Sequence, residues 1–172
     1  KEQRWKNLAP IRLTGARLPF ICVHGDEGNY NLPRVIDRER PFIGFMHQGE
    51  DGSGMRYKTI RSMAGHYVRE LLEALPQGPF VLSGFSTGGV VAFAMARMLQ
   101  AAGRQPSLLV ILDARGPAFN WGRYAPRAKM ADIRGALIRP RCERYLRRVG
   151  SIPFKLRNFY IIDTYRRALE RY

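Results

Sequence analysis

Apolar positions fall into short continuous runs that alternate with longer stretches in which they recur at helical spacing. Residues 8–13, followed by Thr14-Gly15, read as a short first strand. The run Leu18-Pro19-Phe20-Ile21-Cys22-Val23 has the continuous apolarity of a strand buried on both faces of a parallel sheet, and it ends in a Gly-bounded loop, His24 to Asn29. A short irregular helix is expected over 32–37, then a strand over 41–46 that closes in the loop 47–54. Thr59 is placed to cap a helix over 60–75, where Met63, Tyr67, Leu71 and Leu75 share one face until Pro76-Gln77-Gly78-Pro79 stops it. A strand over 80–85, a helix over 88–102 closed by Gly103, and a buried strand over 107–113 complete the regular part.

Strands that alternate with helices imply a mainly parallel sheet with right-handed crossovers. The alternation stops at Asp113. Residues 117–148 carry Tyr, Trp, Pro and many Arg without a strand pattern, and 158–172 read as a final helix with Tyr160, Ile161, Tyr165 and Leu169 as its apolar stripe.

One stretch carries chemistry. Strand formers Phe80-Val81-Leu82 climb to Gly84-Phe85-Ser86-Thr87-Gly88-Gly89, and the helix begins at once. A serine on such a sharp strand-to-helix turn is held in strained backbone, so Gly84 and Gly88 must lack side chains where backbones crowd, and Gly89 lets the helix close on the sheet. The hydroxyl then stands at a helix N-terminus, with the N–H of Thr87 facing a developing oxyanion. Ser86 therefore reads as a nucleophile.

Composition changes the picture only through charge. The 172 residues are 45% apolar and 25% charged, as in an ordinary globular domain, but 29 Lys and Arg against 14 acids give +15. The excess is uneven: residues 1–114 hold 14 basic and 10 acidic side chains, residues 115–172 hold 15 and 4. An acidic partner or nucleic acid is the first inference from such a balance. No helix-turn-helix pattern, aromatic RNA-binding strand or zinc spacing supports nucleic acid. Cys22 and Cys142 form neither a metal motif nor a disulfide framework, and a polar N-terminus without a long apolar run leads to the expectation of a soluble, cytoplasmic protein.

The motifs taken together resemble the α/β-hydrolase thioesterase domains of polyketide and nonribosomal peptide synthetases. The resemblance runs through Val23-His24-Gly25, Gly49-Glu50-Asp51-Gly52, Met63-Ala64 with Tyr67, Gly78-Pro79-Phe80, Gly84 to Gly89 and Leu112-Asp113. It implies release of an acyl or peptidyl chain from the phosphopantetheine thioester of a carrier protein through an acyl-Ser86 intermediate, with no cofactor or metal of the domain's own. It also implies that Asp113 is the acid of a Ser-Asp-His triad, buried beside the elbow, and that the N–H of Asp26 joins that of Thr87 in the oxyanion hole.

The chain departs from the family at the base. Its histidines, His24, His47 and His66, all precede Ser86. In the family His24 belongs to the oxyanion loop; His47 is expected to be a polar loop residue and His66 a solvated or satisfied one. The resemblance places the catalytic histidine after a further strand and helix, so residues 1–172 are expected to be an incomplete, largely inactive domain with the 108–112 strand at a sheet edge. The expected organisation is a linker over 1–7, a core over 8–114, a lid region over 115–159 and a helix over 160–172 that returns to the core. The lid would be basic, through Arg123, Arg127, Lys129, Arg134, Arg139, Arg141, Arg144, Arg147, Arg148, Lys155 and Arg157, and would steer an acidic carrier protein. The alternative is a non-catalytic carrier-binding module that has lost its base.

Overall fold

The computed structural model describes residues 5–24, 26–114 and 138–170. Contacts divide the chain into two units, Lys1–His47 with Ile60–Arg115 and Gln48–Thr59 with Gly116–Tyr172.

The first unit is an α/β layer built on a five-stranded sheet. Its elements are β1 (Leu8–Arg12), β2 (Phe20–Val23), α1 (Asp26–Val35), β3 (Phe42–Phe45), α2 (Ile60–Ala74), β4 (Val81–Phe85), α3 (Thr87–Ala101) and β5 (Leu108–Leu112). The strand order is β1-β3-β2-β4-β5. Strands β2 to β5 pair in parallel, as their continuous apolar runs require, and β1 joins β3 antiparallel with a register shift between Pro10 and Arg12. Proline is tolerated there because β1 is an edge. Ile21, Phe42, Phe45 and Leu82 are fully enclosed, Met63, Tyr67 and Leu71 of α2 bury one stripe, and α2 packs along α3, which lies on β4 and β5.

Helices α1 and α5 begin several residues before the positions the sequence predicts. Helix α1 starts at Asp26, where a loop to Asn29 is expected. The helical backbone runs through Gly28 and Asn29, whose local preference is for a turn. The far end of α1 is held by Arg12, whose guanidinium donates to the carbonyls of Pro33, Asp37 and Arg40.

The entry to β1 is clasped by α2. The Glu70 carboxylate, almost fully buried, accepts the backbone N–H groups of Lys6 at 2.7 Å, Asn7 at 3.1 Å and Leu8 at 2.9 Å. The Asn7 side chain donates to Met46 O at 3.1 Å and meets His66 Nε2 at 3.1 Å, and His66 lies 3.4 Å from Glu70.

In the second unit a helix over residues 138–149 (α4) packs against α5 (Phe154–Glu170). Helix α5 begins four residues before the expected 158 because Pro153, with its φ already helical, seeds the first turn and accepts the N–H of Leu156 at 2.9 Å. Arg139 of α4 donates from Nε to Asp163 Oδ2 at 2.5 Å and from a terminal nitrogen to Thr164 Oγ1 at 3.0 Å, and its guanidinium lies over the Tyr160 ring. Arg167 adds a second cation to Asp163 at 3.2 Å. The 48–59 segment is folded on itself by Gln48, whose amide bonds the N–H and C=O of Tyr57, and it is tied to α5 by Ile152 N–H to Gly52 O at 2.7 Å and by Arg157 to Glu50 O. Among the described residues no helix is long and apolar enough to cross a membrane.

Candidate functional site

Among the described residues, three that are not glycine adopt left-handed backbone: His24 (φ 53°), Ser86 (φ 51°) and Asp113 (φ 45°). Each is the first residue after a parallel strand, and the strands β2, β4 and β5 are neighbours in the sheet. Strained residues persist only where their surroundings hold them, and the carboxyl ends of parallel strands are where an open α/β sheet places its ligands.

The elbow is built by missing side chains. Val23 pairs with Gly84 and Phe85 with Leu112, which brings three strand ends level. A Cβ on Gly84 would fall on the Gly88 carbonyl, and one on Gly88 would fall on Val23 O and lie 2.7 Å from His24 Cβ. One on Gly89 would come within 2.9 Å of Ile111 and 2.5 Å of Ala114. The helix can therefore start with a single residue, Ser86, between it and the strand. Ser86 N–H donates to Leu112 O at 2.8 Å, and Ser86 O accepts from Gly89 N–H at 3.0 Å. At φ 51° and ψ −122° Ser86 is the N-cap of α3, yet its hydroxyl makes no capping bond, and the residue is exposed. A serine that caps normally spends its oxygen on the helix; here the oxygen is left for other chemistry.

The other sequence-derived candidates fall around it. Thr87 is the first residue of α3, half-buried, and Asp26 is the first of α1, so both backbone N–H groups belong to helix N-termini. Asp113 follows β5, one residue beyond the carbonyl that Ser86 bonds. Asp113 is exposed, which corrects the expectation of a buried carboxylate: among the described residues β5 lies last in the sheet order, with no strand beyond it. Of the basic lid expected over 115–159, residues 115–137, with Arg123, Arg127, Lys129 and Arg134, lie outside the described residues. Within α4 the side chains of Arg141, Arg144, Arg147 and Arg148 are exposed, while Arg139 faces Asp163.

The three histidines are engaged in packing. His24 is 2% exposed, its Nε2 lies 2.8 Å from Tyr67 Oη, and its ring stacks on His47 at 4.1 Å between centroids. Burial, reinforced by the neighbouring His47, holds the His24 pKa well below the ordinary imidazole value, so the ring is neutral. His47 is thus a stacking partner for His24 as well as a loop residue, and His66 is the satisfied histidine its position implies, between Asn7 and Glu70. The sequence pattern places Tyr67 on the apolar stripe of α2 and does not show what its hydroxyl meets. A tyrosine on a fully buried helix stripe signals a hydrogen-bond partner elsewhere in the core, and the polar residue ending β2 is that partner. Among the described residues no cluster of His, Cys, Asp and Glu has the makings of a metal site.

With this geometry in place, comparison with known proteins is specific. The thioesterase domain family matches residues 31–153. Atromentin synthetase nps3 of Serpula lacrymans var. lacrymans is 28% identical over 116 residues, 65% of this chain and 12% of that protein. A dimodular nonribosomal peptide synthase of Bacillus subtilis is 37% identical over 111 residues, 62% of this chain and 5% of its own length. The chain therefore spans only a small part of these relatives, 12% and 5% of their lengths. Among solved structures, the NocB thioesterase domain from the nocardicin cluster superposes with a TM-score of 0.67 at 20% identity, covering 96% of this chain and 69% of that one. The type II thioesterase BorB from the borrelidin biosynthetic cluster gives 0.63 at 18%, covering 96% and 68%. At such identities the structural likeness is one of fold.

Proposed function

The chain belongs to the thioesterase domain family, and from that premise we propose that it releases an acyl or peptidyl chain from a carrier-protein phosphopantetheine thioester through an acyl-Ser86 intermediate. The observation that carries the reading is the exposed, uncapped Ser86 hydroxyl held in left-handed backbone at the head of α3.

Ser86 Oγ attacks the thioester carbonyl, the C–O bond forms, and the carbonyl electrons move to oxygen, facing the N–H groups of Thr87 and Asp26 at two helix N-termini. Collapse of the tetrahedral adduct breaks the C–S bond, and the thiol leaves with the proton taken from Ser86. Water, or a hydroxyl or amine of the chain itself, then attacks acyl-Ser86 and completes hydrolysis, cyclisation or transfer. Asp113 orients the imidazole that shuttles the proton. No histidine follows Asp113 in the 172 residues, and the three present are packed away, so residues 1–172 by themselves acylate slowly. Loss of one triad member costs on the order of 10⁴ to 10⁶ in rate. The carrier protein is acidic in this reading, and the exposed arginines of α4 supply the opposite charge. A second reading, a carrier-binding module without catalysis, is favoured by the engagement of all three histidines; it separates from the first at Ser86.

Residues 1–172 are incubated with a small acyl thioester and followed by intact mass, with and without added imidazole. The expected result is a slow single acyl adduct on Ser86 that imidazole accelerates and Ser86→Ala abolishes. An adduct that persists in Ser86→Ala, or no adduct at any imidazole concentration, overturns the catalytic reading. Fast acylation without imidazole would instead assign the base to a histidine within the chain, His24 foremost.

A further inference from the structure

One of the groups that fix the end of β2 belongs to a distant part of the chain. His24 closes β2 with φ 53°, an arrangement a branched or bulky side chain resists and an imidazole adopts only where something holds it. Three contacts do so. The His24 N–H donates to Phe45 O at 2.9 Å, the ring lies on His47, and Nε2 bonds Tyr67 Oη at 2.8 Å from helix α2, 43 residues later. The Tyr67 ring also stacks on Phe45 at 4.8 Å between centroids, and its hydroxyl donates to Met46 O at 3.4 Å.

The same residue touches the elbow. His24 Cβ sits 2.7 Å from where a Gly88 side chain would begin, so the start of α3 rests directly on the end of β2. His24 is thus wedged between the helix that presents Ser86 and the tyrosine of α2, and two residues after it α1 begins at Asp26. A rotation of the His24 backbone would shift the direction of α1's first N–H and the surface against which α3 starts.

We propose that Tyr67 is a positioning residue of the acyl-transfer site, holding through His24 the strand end that sets Asp26 N–H relative to Ser86. The inference rests on the reading of Ser86 and Asp26 given above. Tyr67 touches neither substrate nor nucleophile; it acts by keeping an imidazole in one rotamer and its backbone in a region that would relax if the ring were free. A phenylalanine at this position keeps the packing on Phe45 and removes only the hydroxyl.

The test compares Tyr67→Phe with Phe45→Leu, which loosens the packing under the tyrosine ring but leaves the hydroxyl. Imidazole-assisted acylation of Ser86 is measured against thioester concentration, and amide hydrogen exchange is followed over residues 24–35. Tyr67→Phe should lower the limiting acylation rate about tenfold to a hundredfold with the half-saturating concentration unchanged, a fraction of what loss of an oxyanion donor costs. Exchange at the start of α1 should quicken in the same variant. Phe45→Leu should lower the melting temperature and leave the limiting rate per folded molecule within about twofold, because packing alone does not aim the donor. A wild-type limiting rate in Tyr67→Phe, or an equal fall in both variants, overturns the proposal. If wild type itself is not acylated at Ser86, the functional reading falls, and exchange alone decides: unchanged protection at the start of α1 in Tyr67→Phe shows that the tyrosine positions nothing.

Discussion

Around Ser86 the chain is fixed by atoms it lacks, and in the α4–α5 unit by charges it has. Gly84, Gly88 and Gly89 let a helix start against two strand ends at distances no Cβ would tolerate, and every direction there is set by close contact of backbone. Helices α4 and α5 are instead joined by Arg139, Asp163, Thr164 and Arg167, with Cys142 and Tyr160 buried beside them. Close packing admits one arrangement and fails abruptly when it is violated. An ion pair between flexible side chains tolerates small shifts, and it fails when one partner is removed and the other is left buried. In the function proposed for Ser86, a nucleophile and its oxyanion donors must be held in close register, which is what the first kind of construction supplies.

The largest effect should follow from adding one carbon at the elbow. Gly88→Ala places a methyl on Val23 O and against His24, and we expect a loss of about 4 kcal/mol or more, or failure to fold, by denaturant unfolding. A loss under about 1 kcal/mol would show that the elbow relaxes freely and that the contrast between the units is false. Next comes the charged joint. Asp163→Asn removes the buried carboxylate that Arg139 and Arg167 share, leaving Arg139 only Thr164 and Glu143, and should cost about 3 kcal/mol. Amide protection should fall in α4 and α5 while β4 and α3 keep theirs; an equal loss in all four would count against the contrast.

The smallest effect is one of pH and sharpens the first unit. The His24 pKa in the folded chain lies well below its unfolded value because of burial and His47. Between those two values the unfolded chain binds the extra proton, so stability is full above about pH 6.5 and falls as the pH is lowered, by at most about 1.4 kcal/mol per pH unit for one proton. Thermal midpoints measured from pH 7 to 5 should decline in wild type and flatten in His24→Gln. An equal slope in the variant would assign the decline to other groups.

Much of this arrangement is legible in the amino-acid sequence because it is local. The runs at 18–23, 41–46, 80–85 and 107–113 each contain a strand of the parallel sheet, and the glycine pattern at 84–89 states the elbow directly. What escaped is what depends on partners far away in the chain. Glu70 looks like a solvated residue on the polar side of a helix until three N–H groups some 63 positions earlier converge on it. Tyr67 fits the apolar stripe of α2 so well that its hydroxyl goes unremarked. The exposure of Asp113 is not legible because a strand's own residues do not say what stands on its far side. The start of α1 is hidden because Gly28 and Asn29 read as a turn.

The Glu70 clasp bears on how the molecule carries load. An antiparallel edge strand such as β1 would peel from β3 one hydrogen bond at a time if pulled from its N-terminal end, which is the weakest way to load a sheet. Glu70 takes hold of the chain at Lys6 and Asn7, just before that strand begins, and at Leu8, its first residue. Tension arriving from ahead of β1 is passed into the body of α2, a four-turn beam lying along α3, before it can reach the first rung of the sheet. The elbow would then stay still while the chain in front of it is tugged.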